Sequence, residues 1–71
     1  MLKRVRFVNK IRELGYSLKK ETPATHLYKR GTHPVFVPKT DLVSETYVRA
    51  TLETCKCSLD EIEAFIRNAK V

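Results

Sequence analysis

With 71 residues, 42% of them hydrophobic, and only two Gly and three Pro, the chain has the make-up of one small folded domain spanning residues 1–71, not of a disordered or multidomain protein. Its formal net charge of +6 is unevenly placed: residues 1–43 carry ten Lys or Arg against three acids, and residues 44–71 carry four against five. A cationic front half points to a polyanionic partner, most often nucleic acid; no apolar run approaches the roughly 20 residues of a membrane span and no signal-peptide pattern follows Met1, so a cytoplasmic protein without membrane association is expected.

From Leu2 to Leu14 the apolar residues Leu2, Val5, Phe7, Val8, Ile11 and Leu14 cover half of a helical wheel, with Lys3, Arg6 and Lys10 on the outer side and Gly15 as a stop. Tyr16 to Lys20 alternates as a first strand, Tyr16 and Leu18 inward, Ser17 and Lys19 outward. A polar turn around Pro23 leads to a second strand, Thr25 to Arg30, whose alternation is read with Leu27 inward and His26, Tyr28 and Arg30 outward. Gly31 to Pro34 makes the next turn, and Val35 to Val37 a third strand with Phe36 outward. After a connector over Pro38 to Val43, a helix is expected from about Glu45 to Cys55, capped by Ser44 or Thr46 and carrying Val48, Leu52 and Cys55 inward. Ser58 to Glu61 matches a capping box and opens a last helix with Leu59, Ile62, Phe65, Ile66 and Ala69 as its apolar face, the two helical segments being either one bent unit or two. Cys55 and Cys57 form a C-x-C pair, which is neither a zinc knuckle nor a disulfide framework. They read as a core residue and a surface thiol, and no metal or cofactor is expected.

Short connections force the strands into an antiparallel meander with helices on one face. The expected class is α+β: a helix, a three-stranded antiparallel sheet and C-terminal helices on one sheet face, similar to a double-stranded-RNA-binding domain. On the open face this reading collects Lys19, His26, Tyr28, Arg30 and Phe36. A neutral imidazole takes a proton from a ribose 2′-hydroxyl, neighbouring cations stabilise the charge that builds on phosphate, and aromatic rings stack on unpaired bases.

Gly15-Tyr16, then Thr25-His26, then Val35-Phe36-Val37-Pro38, then Thr46 to Leu52 resembles, over roughly residues 5 to 66, the HicA family of toxins, which are mRNA interferases of toxin–antitoxin pairs with a double-stranded-RNA-binding-like fold. The resemblance implies His26 as catalytic residue and Thr25, in the place of the family's serine, as its support. Ala24 stands where the family has glycine, Lys39-Thr40 where it often has a histidine, and Lys19 or Lys20 where it has an arginine. A rival alignment on Gly31-Thr32-His33 fails because too little chain remains after His33 for the strands that must follow.

The resulting expectation is a metal-independent endoribonuclease acting on mRNA, taken as single-stranded, with His26 as general acid/base and Lys19, Lys20, Tyr28, Lys29, Arg30, Phe36 and Lys39 in RNA binding. The resemblance also implies a HicB-like antitoxin that covers the basic face and leaves room for oligomers in complex with it. The alternatives are a non-catalytic RNA-binding module or inactive HicA relative, and an interaction subunit whose basic face docks an acidic protein.

Overall fold

In the computed structural model, which describes residues 1–70, the chain runs through β1 (Leu2–Lys3), α1 (Arg4–Glu13), β2 (Ser17–Glu21), β3 (Thr25–Arg30), β4 (His33–Pro38), β5 (Leu42–Val43), α2 (Glu45–Thr54) and α3 (Leu59–Ala69). The first helix starts two residues later than its apolar pattern suggests. Leu2 and Lys3 instead pair antiparallel with Val43 and Leu42, which buries Leu2 completely and turns Val5 out to solvent. Leu2 also bridges to Lys70, so both ends of the described chain meet at this ribbon.

Helix α1 ends in a Schellman turn: Gly15 takes φ +97°, its N–H reaches the Arg12 carbonyl at 3.0 Å, and the Tyr16 N–H reaches Ile11 at 3.1 Å. The same device separates α2 from α3, with Lys56 in the left-handed position at φ +65° and the Lys56 and Cys57 N–H groups on the Glu53 and Leu52 carbonyls. The C-terminal segment is therefore two helices.

Strands β2, β3 and β4 form one antiparallel sheet in that order. The β3–β4 hairpin has a two-residue loop, Gly31-Thr32, with Gly31 at φ +62°, so its rungs pair Arg30 with His33, Tyr28 with Val35, His26 with Val37 and Thr25 with Pro38. Across the other ladder the register shifts between Leu18 and Lys20, a bulge at Lys19 that sets Lys20 opposite Leu27 and Glu21 opposite His26. Residues on one rung share a face, and this overturns the expected orientation of the middle strand. Val35 and Val37 do point inward, but they carry Tyr28 and His26 inward with them, and Leu27 joins Phe36 on the open face.

One hydrophobic cluster unites Phe7, Val8 and Ile11 of α1, Tyr16, Tyr28, Val35 and Val37 of the sheet, Val48 and Leu52 of α2, and Ile62, Ile66 and Ala69 of α3. Cys55 belongs to it, as its spacing suggests. Leu18, expected inward, is exposed at the sheet edge, and Leu59 lies outside the core face. The architecture is thus α+β, three helices with antiparallel sheets.

The Ser44 and Ser58 side chains cap α2 and α3, accepting from the N–H groups of Tyr47 (3.0 Å) and Glu61 (3.2 Å). The capping box at Ser58 is one-sided, because the Glu61 carboxylate turns away to Lys10 at 2.8 Å and so joins α3 to α1. Arg49 bonds Glu63 on α3 and lies 3.4 Å from Glu45. Ser58→Ala removes a bond that the box does not duplicate and is expected to cost about 1 kcal/mol, measured as a lower urea midpoint at unchanged slope.

Candidate functional site

The open face of the sheet is built by alternation and the bulge together. Lys20, Leu27 and Phe36 lie on one rung across the three strands, and Ser17, Lys29 and Pro34 on a parallel rung. Phe36 is 54% exposed. Lys20, Thr22, Thr25, Leu27 and Phe36 line a groove of about 280 Å³. Its floor is apolar, its rim carries an ammonium group, and hydroxyls stand at its end by the β2–β3 turn. Lys19, at the bulge, and Lys39, just beyond β4, are both exposed. Of the expected RNA-binding residues, Lys20, Lys29 and Phe36 come together here, with Thr25 in the groove wall. Leu27, which the reversed alternation hid, completes the apolar floor.

Tyr28 and Arg30 are not part of this face. Tyr28 is buried beneath the sheet, with the Arg12 guanidinium 5.9 Å from its ring centroid. Arg30 turns back to the end of α1: its Nη1 donates to the Leu14 carbonyl at 2.8 Å, and its guanidinium sits 4.9 Å from the centre of the Tyr16 ring. A cation at the C-terminal carbonyls of a helix is electrostatically well placed. A side chain engaged in this way does not face a strand on the open side.

His26 also leaves the open face. Its side chain is 12% exposed, on the side of the sheet where α1 begins. Arg4 Nη2 lies 2.8 Å from Nδ1, while Arg4 Nε donates to the Pro38 carbonyl at 2.9 Å. Nε2 is fully covered, makes no hydrogen bond among the described residues and stands 3.5 Å from Glu21 Oε1. Arg4 and Glu21 were not among the expected site residues. Glu21 becomes legible once the bulge is known, because the shift makes it the direct ladder partner of His26.

The second histidine is structural. His33 Nδ1 lies 2.5 Å from the Tyr16 hydroxyl, edge-on to its ring, and holds the start of β4 against the end of α1. Burial pushes Tyr16 from 10.0 up to about 12. Burial likewise pushes the half-buried Cys57 thiol up from its ordinary value. No group of three or more His, Cys, Asp or Glu side chains suited to a metal occurs among the described residues, and no helix among them is long and apolar enough to cross a membrane.

Comparison with protein-family models, with characterised proteins and with solved structures finds no match to this chain.

Above pH 10.0 the unfolded chain loses the Tyr16 proton, while the folded chain keeps it until about 12. Folding stability is therefore complete below that window and falls as pH rises through it. Urea titrations across the alkaline range are expected to show this decline, and Tyr16→Phe to flatten it.

Proposed function

We propose that this protein is a HicA-like toxin acting on RNA, a metal-independent endoribonuclease of double-stranded-RNA-binding-like fold held inactive by a HicB-like antitoxin. Two features support the reading. The elements follow the expected order of helix, three antiparallel strands and helices, and the two strand motifs that carry the resemblance meet on adjacent rungs, Thr25 with Pro38 and His26 with Val37.

The observation that carries the RNA-binding half is the rung Lys20–Leu27–Phe36. An unpaired base stacks on Phe36 with Leu27 beside it, while Lys20 and Lys29 meet successive phosphates and Lys19 and Lys39 extend the positive field to either side. The floor offers stacking surface, which suits a single strand. A duplex needs cations at the start of α2 to reach across its groove, and that turn reads Ser44-Glu45-Thr46-Tyr47, with Glu45 held 3.2 Å from Lys70. An exposed Phe36 on the rung of Lys20 also gives an acidic antitoxin a surface to cover.

Phe36→Ala is expected to weaken binding of a short single-stranded RNA by about 1–3 kcal/mol. Lys20→Ala and Lys29→Ala should each flatten the log–log salt dependence by about 0.7. Fluorescence anisotropy at several salt concentrations reads both, and unchanged affinity in all three variants would remove RNA from this face.

A second reading, an RNA-binding protein without cleavage, is favoured by the enclosure of His26, whose two ring nitrogens face Arg4 and Glu21. Incubation of RNA with wild type and His26→Ala in EDTA separates the two. The toxin reading expects cleavage that survives chelation and falls by roughly 10²–10⁴-fold in the variant. RNA left intact by the wild type selects the binder.

A further inference from the structure

Resting on the ribonuclease reading, we propose that Glu21 is the catalytic base that meets the RNA, and that His26 and Arg4 are positioning residues that hold its carboxylate. A single histidine leaves a proton-transfer site short of a second group, and the β2–β3 ladder supplies one. Glu21 is the direct partner of His26 across that ladder, and its side chain is 65% exposed where that of His26 is 12% exposed.

The hydrogen bond from Arg4 fixes how the ring is used. A guanidinium only donates, so His26 Nδ1, at 2.8 Å from Arg4 Nη2, accepts. With Nδ1 accepting, a ring proton sits on Nε2, which is closed to solvent, stands 3.5 Å from Glu21 Oε1 and makes no hydrogen bond among the described residues. Neither ring nitrogen has a lone pair free for substrate. The outward oxygen of Glu21 has. Arg4 is itself fixed, its Nε on the Pro38 carbonyl at 2.9 Å and its backbone N–H on the Asp41 carbonyl at 2.9 Å, so the ring is held from a rigid point.

Glu21 shares the rung of His26, on the face opposite the groove, and stands beside the turn at which the groove ends. Thr22 and Thr25, its neighbour and that of His26, line the end of the groove floored by Leu27 and Phe36. A strand stacked on Phe36 and passing round the β2–β3 turn brings a ribose to the carboxylate. Glu21 takes the 2′-hydroxyl proton, the 2′-oxygen bonds to the adjacent phosphorus, and the bond from phosphorus to the 5′-oxygen breaks. The departing oxygen takes a proton from water, and the hydroxide formed recovers the proton from Glu21. The products are a 2′,3′-cyclic phosphate and a 5′-hydroxyl, with the carboxylate regenerated.

The test compares the full chain as wild type, Glu21→Gln, Glu21→Asp, His26→Ala and the Glu21→Gln/His26→Ala double variant on a 5′-labelled single-stranded RNA. Glu21→Gln is isosteric and exposed, so it folds as the wild type does. It is expected to lower kcat by about 10²–10⁴-fold without lowering RNA affinity, and Glu21→Asp to recover part of the rate. The double variant should be no slower than the slower single one, since groups acting as a unit do not add. Nitrogen-15 shifts of the His26 ring should place its proton on Nε2, and Arg4→Ala should disturb that assignment. Glu21→Gln cleaving at the wild-type rate while His26→Ala is inactive would overturn the role of Glu21 and leave the ribonuclease reading standing. A wild type that leaves RNA intact would overturn both.

Discussion

A two-residue loop cannot slide. With Gly31 in the left-handed conformation and Arg30 opposite His33, every later rung of the β3–β4 ladder is fixed. The core then decides which face is which, because Val35 and Val37 fill the space above the helices and take Tyr28 and His26 with them. Burial of Tyr28 and the two valines removes several apolar side chains from water at about 1.5–3 kcal/mol each. A slip of one residue would exchange all of that for the burial of Leu27 and Phe36. In a domain this small no other single constraint settles so much of the surface, and the candidate RNA-binding face is what remains once the register is set.

The same register separates the parts of the molecule that are legible in the amino acids from those that are not. The helices announce themselves through Ser44 and Ser58, through the stripe of Val48, Leu52 and Cys55, and through Gly15 as a stop. Val35 and Val37 inward and Phe36 outward follow from alternation. The middle strand misleads because Gly31 to Pro34 reads as a four-residue turn, and because a histidine, a tyrosine and an arginine look more polar than the leucine between them. Counting back from a two-residue loop would have paired Tyr28 with Val35 and corrected the strand. The bulge at Lys19 leaves no comparable mark, and the Leu2–Val43 ribbon rests on two residues a side. Arg4 reaches His26 across 22 positions and Pro38 across 34, a contact that no local pattern encodes.

The exchange of faces divides the molecule's polar chemistry into two places that meet at the β2–β3 turn. On the open face lie lysines and a stacking surface, suited to holding a strand. Beneath it a cation, an imidazole and a carboxylate stand in line, Arg4 and Glu21 on opposite sides of His26. The ring is hydrogen-bonded on the Arg4 side and has Glu21 Oε1 at 3.5 Å on the other, so its position depends on both partners. The arrangement ties the start of α1 to the ends of all three strands.

The extra residue at Lys19 has one more effect. Strand β2 is an outer strand of its sheet, and an outer strand presents unpaired N–H and C=O groups to any chain that can lie alongside. On the other side, Tyr47 covers part of β4 by donating to the Phe36 carbonyl. On β2 protection comes from the bulge, which breaks the regular repeat, and from Lys19 and Lys20, which place two ammonium groups along the border. The same insertion that turns Glu21 toward His26 thus keeps neighbouring molecules from zipping onto this border and growing into aggregates.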